Sequence, residues 1–338
     1  MINVAVLGAS GYTALEVIKI LLRHPNAKIV ACISRQEGTP FISSIHPSLA
    51  KRIELRCEEL DLASLNERGV KCVFSCLPHG ASMEVIPKLV GSGIRVVDLS
   101  ADYRLKDPQV YKKWYGEDHK DIEGLKAAVY GLPEFNANDI KTCKLLANPG
   151  CYPQTAILGL APLLHSKLID PAQIIVDSKS GVSGAGRTPK QNTHFPECNE
   201  NLSAYQVGKH RHTPEMEQAL EKISGGKVKI MFTPHLIPMN RGIFSTIYAK
   251  PIRDISEQAI NEIVSVFYKD KPFVRLVDQL PEIRNSTGTN FVDLHYKVVN
   301  DYVIVLASED NLIRGASGVA VQNFNLMFGF PETTALEF

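Results

Sequence analysis

The residues best suited to chemistry lie in Asn148-Pro149-Gly150-Cys151-Tyr152-Pro153. This stretch joins an apolar, strand-like run (144–147) to an apolar, helix-like run (155–165). Pro149-Gly150 suits a tight turn, and Pro153 suits a first helical turn, where its missing N–H costs nothing. A thiol at that joint faces the positive end of a helix dipole, which favours the thiolate, the nucleophilic form of cysteine. In isolation a cysteine in such a turn is more often a small buried apolar residue, so the rest of the chain has to supply the case for catalysis. Part of it comes from Lys209-His210-Arg211-His212, placed just before Thr213-Pro214-Glu215. Thr213 reads as an N-cap, Pro214 as the first helical residue, and Glu215 as a complement to the dipole. A histidine titrating near neutrality beside a thiol is a common acid/base partner. Either His210 or His212 could serve. Their i, i+2 spacing suits a metal only with a third ligand, and none is evident.

The elements that must position these groups fall into two halves. Ile2–Leu7 reads as a strand running into Gly8-Ala9-Ser10-Gly11-Tyr12-Thr13-Ala14, then a helix with Leu15, Ile18 and Leu22 on one face, then a second strand over Lys28–Ile33. This is the β–turn–α–β context in which glycines let a pyrophosphate approach a helix N-terminus. Ser34-Arg35 stands where an NAD site usually carries an acid, and arginine suits a 2′-phosphate, so NADP is expected rather than NAD. Strands over Lys71–Cys76 and Ile94–Asp98 deliver Leu77-Pro78-His79-Gly80 and Asp98-Leu99-Ser100-Ala101-Asp102-Tyr103-Arg104 to the same carboxyl edge of the sheet. Arg104 there could grip an anionic group.

The second half carries a strand over Gln173–Ser178 and a glycine-rich run, Ser180–Arg187, that leaves few side chains in the way of a ligand. Asp254-Ile255-Ser256-Glu257 reads as a capping box, and Phe291–Val299 and Tyr302–Ala307 as strands joined by an Asn300-Asp301 hairpin turn. Short connections and alternating strands indicate a largely antiparallel, open-faced sheet, unlike the first half. Gly315 to Phe328 reads as a helix stopped by Gly329 and Pro331.

Composition narrows the class. Lysine and arginine number 37 against 36 acidic residues, with no basic run, which argues against nucleic acid. No apolar run approaches the roughly 18 residues that cross a bilayer, and the opening strand lacks the pattern of a signal peptide. Seven cysteines without C-x-x-C spacing suit reduced thiols in the cytoplasm. Cys72 and Cys76 lie in an alternating strand pattern and read as core, so no metal is expected.

These motifs together resemble the N-acetyl-gamma-glutamyl-phosphate reductases. The likeness rests on Gly8–Thr13, Leu99–Arg104, Tyr130–Glu134, Asn148–Pro153, Ser180–Arg187, Lys209–Glu215, Phe232–Gly242 and Asp310–Gly318. It implies an α/β protein: a Rossmann-type doubly wound parallel sheet plus an α+β, GAPDH-like catalytic and dimerisation domain with a largely antiparallel sheet. Domains are expected over 1–149 with 315–338, and over 150–314. The implied reaction is NADPH-dependent reductive dephosphorylation of an acyl phosphate through a thioester on Cys151, with His210 as acid/base. Substrate contacts are expected from Arg104, Asn148, His212, Ser183 and Arg187. Cofactor contacts are expected from Gly8, Ser10, Gly11, Tyr12, Thr13, Ser34, Arg35, Pro78, His79, Gly184 and Asn323. The resemblance further implies a homodimer or homotetramer, with an acyl phosphate and inorganic phosphate as small-molecule partners. Aspartyl and aminoadipyl phosphates are the alternative substrates, and a non-enzymatic NADP sensor is the alternative class. The chain departs from the family pattern at Ala14, Gln154 and Val319, which concerns the cofactor contacts.

Overall fold

The computed structural model describes residues 1–336, so residues 337–338 of the expected first domain lie outside the described residues. The chain forms two compact units, Met1–Pro149 with the chain from Ala316 onward, and Gly150–Gly315.

The first unit is built on seven strands: β1 Ile2–Leu7, β2 Ala27–Ile33, β3 Cys57–Glu58, β4 Val70–Ser75, β5 Arg95–Asp98, β6 Val129–Tyr130 and β7 Leu145–Ala147. They are ordered β3-β2-β1-β4-β5-β7-β6 and every pairing is parallel. Their near-continuous apolar runs follow from burial on both faces; Val4, Ala5, Val6, Val73, Phe74, Val96 and Val97 are all buried. The order reverses between β1 and β4, which opens a crevice at the carboxyl ends of those strands. The Gly318–Met327 helix packs against the helices Tyr12–Leu21 and Pro133–Thr142 of this unit. Ala14 and Val319 are both wholly buried in that helical layer.

The second unit holds β8 Ile169–Ser180, β9 Ser203–Ala204, β10 Ile230–Leu236, β11 Ile243–Pro251, β12 Val274–Leu276, β13 Val292–Val299 and β14 Tyr302–Glu309, ordered β12-β13-β14-β11-β8-β10-β9. The sheet is mixed: β8–β10 and β12–β13 are parallel and the remaining pairs antiparallel. The helix Cys151–His165 packs on one face against β8, β11 and β14, and against the helices His212–Ser224 and Glu257–Phe267. From Tyr152 to Leu164 every residue of it is buried, so its sequence lacks a polar stripe. On the opposite face Ile175, Met231 and Tyr248 remain exposed. The β13–β14 hairpin turns at Asn300 with φ of +52°, as its turn residues indicate.

Two helix starts differ from the sequence reading. The capping box at Asp254 does not form; Ser256 caps instead, its Oγ accepting the Ala259 N–H, while Glu257 accepts from Val298 N–H and Lys297. Thr213 is not an N-cap, because the helix begins one residue earlier, at His212. The N-cap is Arg211, which makes no side-chain cap, and the His212 N–H donates to His210 Nδ1 at 3.2 Å.

Candidate active site

Cys151 opens its helix directly, four residues ahead of the expected Thr155 start, behind an extended Gly150 N-cap. Gly150 has no side chain to cap with, and its N–H donates instead to Glu215 Oε1 at 2.7 Å. Glu215, 1% exposed and in the first turn of its helix as expected, therefore also braces the turn that carries the thiol. Proline at 153 fits the third helical position, where an N–H has no intrahelical acceptor. Gly315 packs beside Cys151: a methyl group on it would lie 2.8 Å from Cys151 Cβ and 3.0 Å from Glu309 Oε1. Gln154, one of the departures from the family pattern, donates through Nε2 to the Arg314 carbonyl at 2.8 Å, a structural tie within this unit.

Both histidines stand against Tyr152, the neighbour of Cys151, with ring centroids 5.6 Å away for His210 and 6.0 Å for His212. Phe232 and Tyr205 complete an aromatic surround for His210. The expectation of a histidine titrating near neutrality fails for His210. Burial, and secondarily the Arg211 charge, push it down from 6.5 to about 4. The ring is thus neutral at physiological pH. Because Nδ1 accepts the His212 N–H, Nε2 carries the proton and acts as a donor. The folded-state value lies below the unfolded one, so the neutral ring's contribution to stability is present above about pH 6.5 and lost on acidification toward pH 4. Between pH 7 and about 4.5 this loss should reach about 2 kcal/mol. Urea melts across that range should show a shallower acid slope for His210→Gln than for the wild type; parallel slopes would refute the buried neutral imidazole.

The glycine-rich run is not a loose loop. Val182–Ala185 forms a 3-10 turn whose Gly181, Val182 and Ser183 N–H groups donate to the carbonyls of Gly242, Met239 and Asn240. Ser183 Oγ accepts from Asn311 Nδ2 at 3.0 Å, and Asn311 Oδ1 accepts the Gly242 N–H at 2.7 Å. Ser183 is therefore engaged in holding the loop, while Gly184 and Arg187 are exposed.

In the first unit the crevice is a cleft of about 580 Å³. It is walled by Leu7, Gly8 and Ser10 after β1, by Ile33, Ser34 and Arg35 after β2, and by Leu77, Pro78, Ala81 and Val85 after β4. Gly8 has φ of +69°, and a Cβ there would sit 2.4 Å from the Cys76 carbonyl oxygen, so only glycine fits. Gly11 is the N-cap of the Tyr12–Leu21 helix, which has neither a side-chain cap nor an acid in its first turn. Asn323 donates through Nδ2 to the Gly131 carbonyl, and its Oδ1 is buried without a hydrogen-bond partner. A glycine turn, an uncapped helix start and an arginine at the end of β2 together fit a phosphate-bearing dinucleotide. Glu59 also lines the cleft.

Five expected cofactor residues (Gly8, Ser10, Ser34, Arg35 and Pro78) line this cleft. His79 does not; its Nδ1 accepts the Ala101 N–H. Tyr12 and Thr13 open the adjoining helix, and Ser317 Oγ donates to the Thr13 carbonyl. Gly184 belongs to the second unit. Asn148, expected to touch substrate, is 1% exposed and donates its amide to the Ala316 carbonyl. Arg104, 5% exposed, donates through Nε to the Asn148 carbonyl at 2.7 Å and through Nη2 to that of Leu99 at 3.1 Å. Sequence reading gave Glu215 only a dipole role and missed the bonds that Asp102, Asn311 and His46 make; His46 Nε2 bonds the Ala9 carbonyl at 2.9 Å. Among the described residues no group of three His, Cys, Asp or Glu is placed to hold a metal, and no helix is long and apolar enough to cross a membrane.

Fold and site define an α/β oxidoreductase of the semialdehyde dehydrogenase class. The model of the semialdehyde dehydrogenase NAD-binding domain matches residues 3–143, and that of the dimerisation domain residues 151–311. Aspartate semialdehyde dehydrogenase II of Vibrio cholerae superposes with a TM-score of 0.74 at 16% identity over 97% of this chain and 98% of its own. The Candida albicans enzyme, solved with NADP, gives 0.66 at 16% identity over the same shares. Among curated proteins, an N-acetyl-gamma-glutamyl-phosphate reductase of Rhodopirellula baltica is 48% identical over 99% of this chain and 98% of its own length. One from Desulforudis audaxviator is 47% identical over 100% and 99%. The chain belongs to the N-acetyl-gamma-glutamyl-phosphate reductase family.

Proposed function

We propose that this protein reduces N-acetyl-L-glutamyl 5-phosphate to N-acetyl-L-glutamate 5-semialdehyde with release of phosphate, in arginine biosynthesis. The observation that carries the reading is the end-to-end likeness to reductases of that name, at 48% identity, in a chain that keeps Cys151 at a helix start. The Cys151 thiolate attacks the acyl carbon, and the carbonyl oxygen becomes an oxyanion. The N–H groups of Cys151 and Tyr152, in the first turn of the helix, are the donors assigned to it; Gly150 N–H is engaged by Glu215 and Pro153 has none. Phosphate departs as an anion with His210 Nε2–H as its assigned hydrogen-bond donor, and the acyl group remains on Cys151 as a thioester. NADPH, when bound, supplies the hydride that reduces the thioester. The resulting thiohemiacetal anion collapses to the aldehyde and regenerates the thiolate.

Arg104, His212, Ser183 and Arg187 are assigned to the substrate, and Asn148 to holding the turn before Cys151. Gly8, Ser10, Gly11, Tyr12, Thr13 and Pro78 are assigned to the cofactor diphosphate and its surroundings, with Gly184 and Asn323 at the nicotinamide. Ser34 and Arg35 take the 2′-phosphate, which makes NADPH the preferred form. We assign the open face bearing Ile175, Met231 and Tyr248 to self-association, as a homodimer or a homotetramer, and the protein to the cytoplasm. The deciding experiment runs the reaction backwards, following phosphate-dependent reduction of NADP⁺ with N-acetylglutamate semialdehyde, aspartate semialdehyde and the aminoadipate homologue. The first should be the preferred substrate by at least about tenfold; equal rates on all three, or none, would defeat the assignment.

A further inference from the structure

Asp102 is wholly buried, forms no ion pair with any of the described residues and lies outside the cleft lining, which makes it a costly residue to keep. Its carboxylate is directed at one backbone group. Gly80 N–H lies 2.9 Å from Oδ1 and 3.0 Å from Oδ2. The Tyr111 hydroxyl donates to Oδ1 at 3.1 Å, the Asp102 N–H donates to Ser100 Oγ, and the Asp102 carbonyl accepts from His119 Nε2.

Gly80 is the bend in the loop whose neighbours Leu77, Pro78 and Ala81 wall the cleft. It has φ of +83°, a left-handed conformation that glycine adopts readily. The same segment grips this loop at two more points. Ala101 N–H bonds the His79 ring at 3.1 Å, and Asp98 Oδ1 accepts from Ser82 Oγ at 3.0 Å. The cofactor-side wall is thus shaped from behind by the Asp98–Asp102 turn, with Gly80 N–H as the central tie.

We propose that Asp102 is a positioning residue for cofactor binding: by holding the Gly80 N–H it sets the Leu77–Ala81 wall of the NADP cleft without touching the nucleotide. The inference rests on the NADP reading of that cleft. A hydrogen bond to a charged group is worth enough that its loss costs affinity by an order of magnitude or more. Asparagine at 102 keeps the size but offers one acceptor instead of two. Phenylalanine at 111 leaves the carboxylate and removes only its hydroxyl support.

The test is isothermal titration of the full-length wild type, Asp102→Asn and Tyr111→Phe with NADPH, 2′,5′-ADP and 5′-AMP, alongside steady-state kinetics. For Asp102→Asn the Kd for 2′,5′-ADP and NADPH should rise about 10- to 100-fold, and for Tyr111→Phe about threefold. The kcat at saturating NADPH and the KM for the acyl phosphate should stay within about twofold. A folded Asp102→Asn protein with wild-type nucleotide affinity overturns the proposal, as does an equal loss in kcat and both KM values. Should Asp102→Asn fail to fold, Tyr111→Phe decides: an unchanged Kd overturns it. Wild-type protein binding 5′-AMP as tightly as 2′,5′-ADP would defeat the NADP reading alone, the variant ratio then being read on 5′-AMP. Binding of none of the nucleotides defeats both.

Discussion

Cys151→Ser is expected to retain less than about a thousandth of wild-type turnover. The substitution is nearly isosteric, and the Gly150 N-cap, the Glu215 brace and the buried helix behind the residue should all persist. What changes is the nucleophile. A helix N-terminus can bring a thiol into its ionising range near neutrality, whereas a serine hydroxyl stays protonated without a strong adjacent base. His210 does not supply that base, because burial makes its imidazole a weak base and its Nδ1 already accepts the His212 N–H. Phosphate-dependent NADP⁺ reduction by the variant, with nucleotide titration to show that the cleft is intact, makes the measurement. Turnover above that thousandth would sink the covalent scheme. Wild-type protein should in addition lose activity on stoichiometric alkylation of Cys151, with inorganic phosphate protecting.

The second large effect is expected at Gly8. An added methyl would meet the Cys76 carbonyl oxygen at 2.4 Å and its carbon at 2.8 Å, on a residue with φ of +69°. Both obstacles are backbone at the end of β4, so no flexible side chain can move aside. Gly8→Ala should therefore displace the β1 turn, weaken 2′,5′-ADP binding at least about 100-fold and destabilise the protein by about 2–4 kcal/mol. Gly11→Ala is the matched contrast. There the nearest atom to a new methyl is the Gly8 carbonyl oxygen at 3.5 Å, an ordinary contact. Its effect on affinity should stay within about fivefold. Equal losses in the two variants, measured by calorimetric titration and urea melts, would contradict the steric account.

Much of the architecture was legible because periodicity reports burial. The apolar run Ile2–Leu7 and the alternating run Lys71–Cys76 marked strands of the first sheet, and alternation at β8, β11 and β14 marked a sheet with one open face. The Gly8–Thr13 turn, the Asn148–Pro153 turn and the Ser34-Arg35 exit were readable for the same reason: glycine, proline and charge act locally on the backbone that carries them.

The braces were not legible. Glu215 bonds an N–H 65 residues away, Asp102 one 22 residues away, and His46 a carbonyl 37 residues away. Each acts on a backbone group, and a backbone N–H or C=O has the same identity at every position, so no residue pattern announces which one will be held. Nor could spacing decide between otherwise equal members of one motif. Tertiary packing made Gly8 obligatory and left Gly11 tolerant, and it turned His210 from a titrating base into a buried neutral donor. The amino-acid sequence by itself determined the cysteine at the helix start, the dinucleotide turn and the family, because those depend on residue type and local order. Only the tertiary structure decided the protonation and orientation of the groups around them, because desolvation and hydrogen bonding come from segments that meet only on folding.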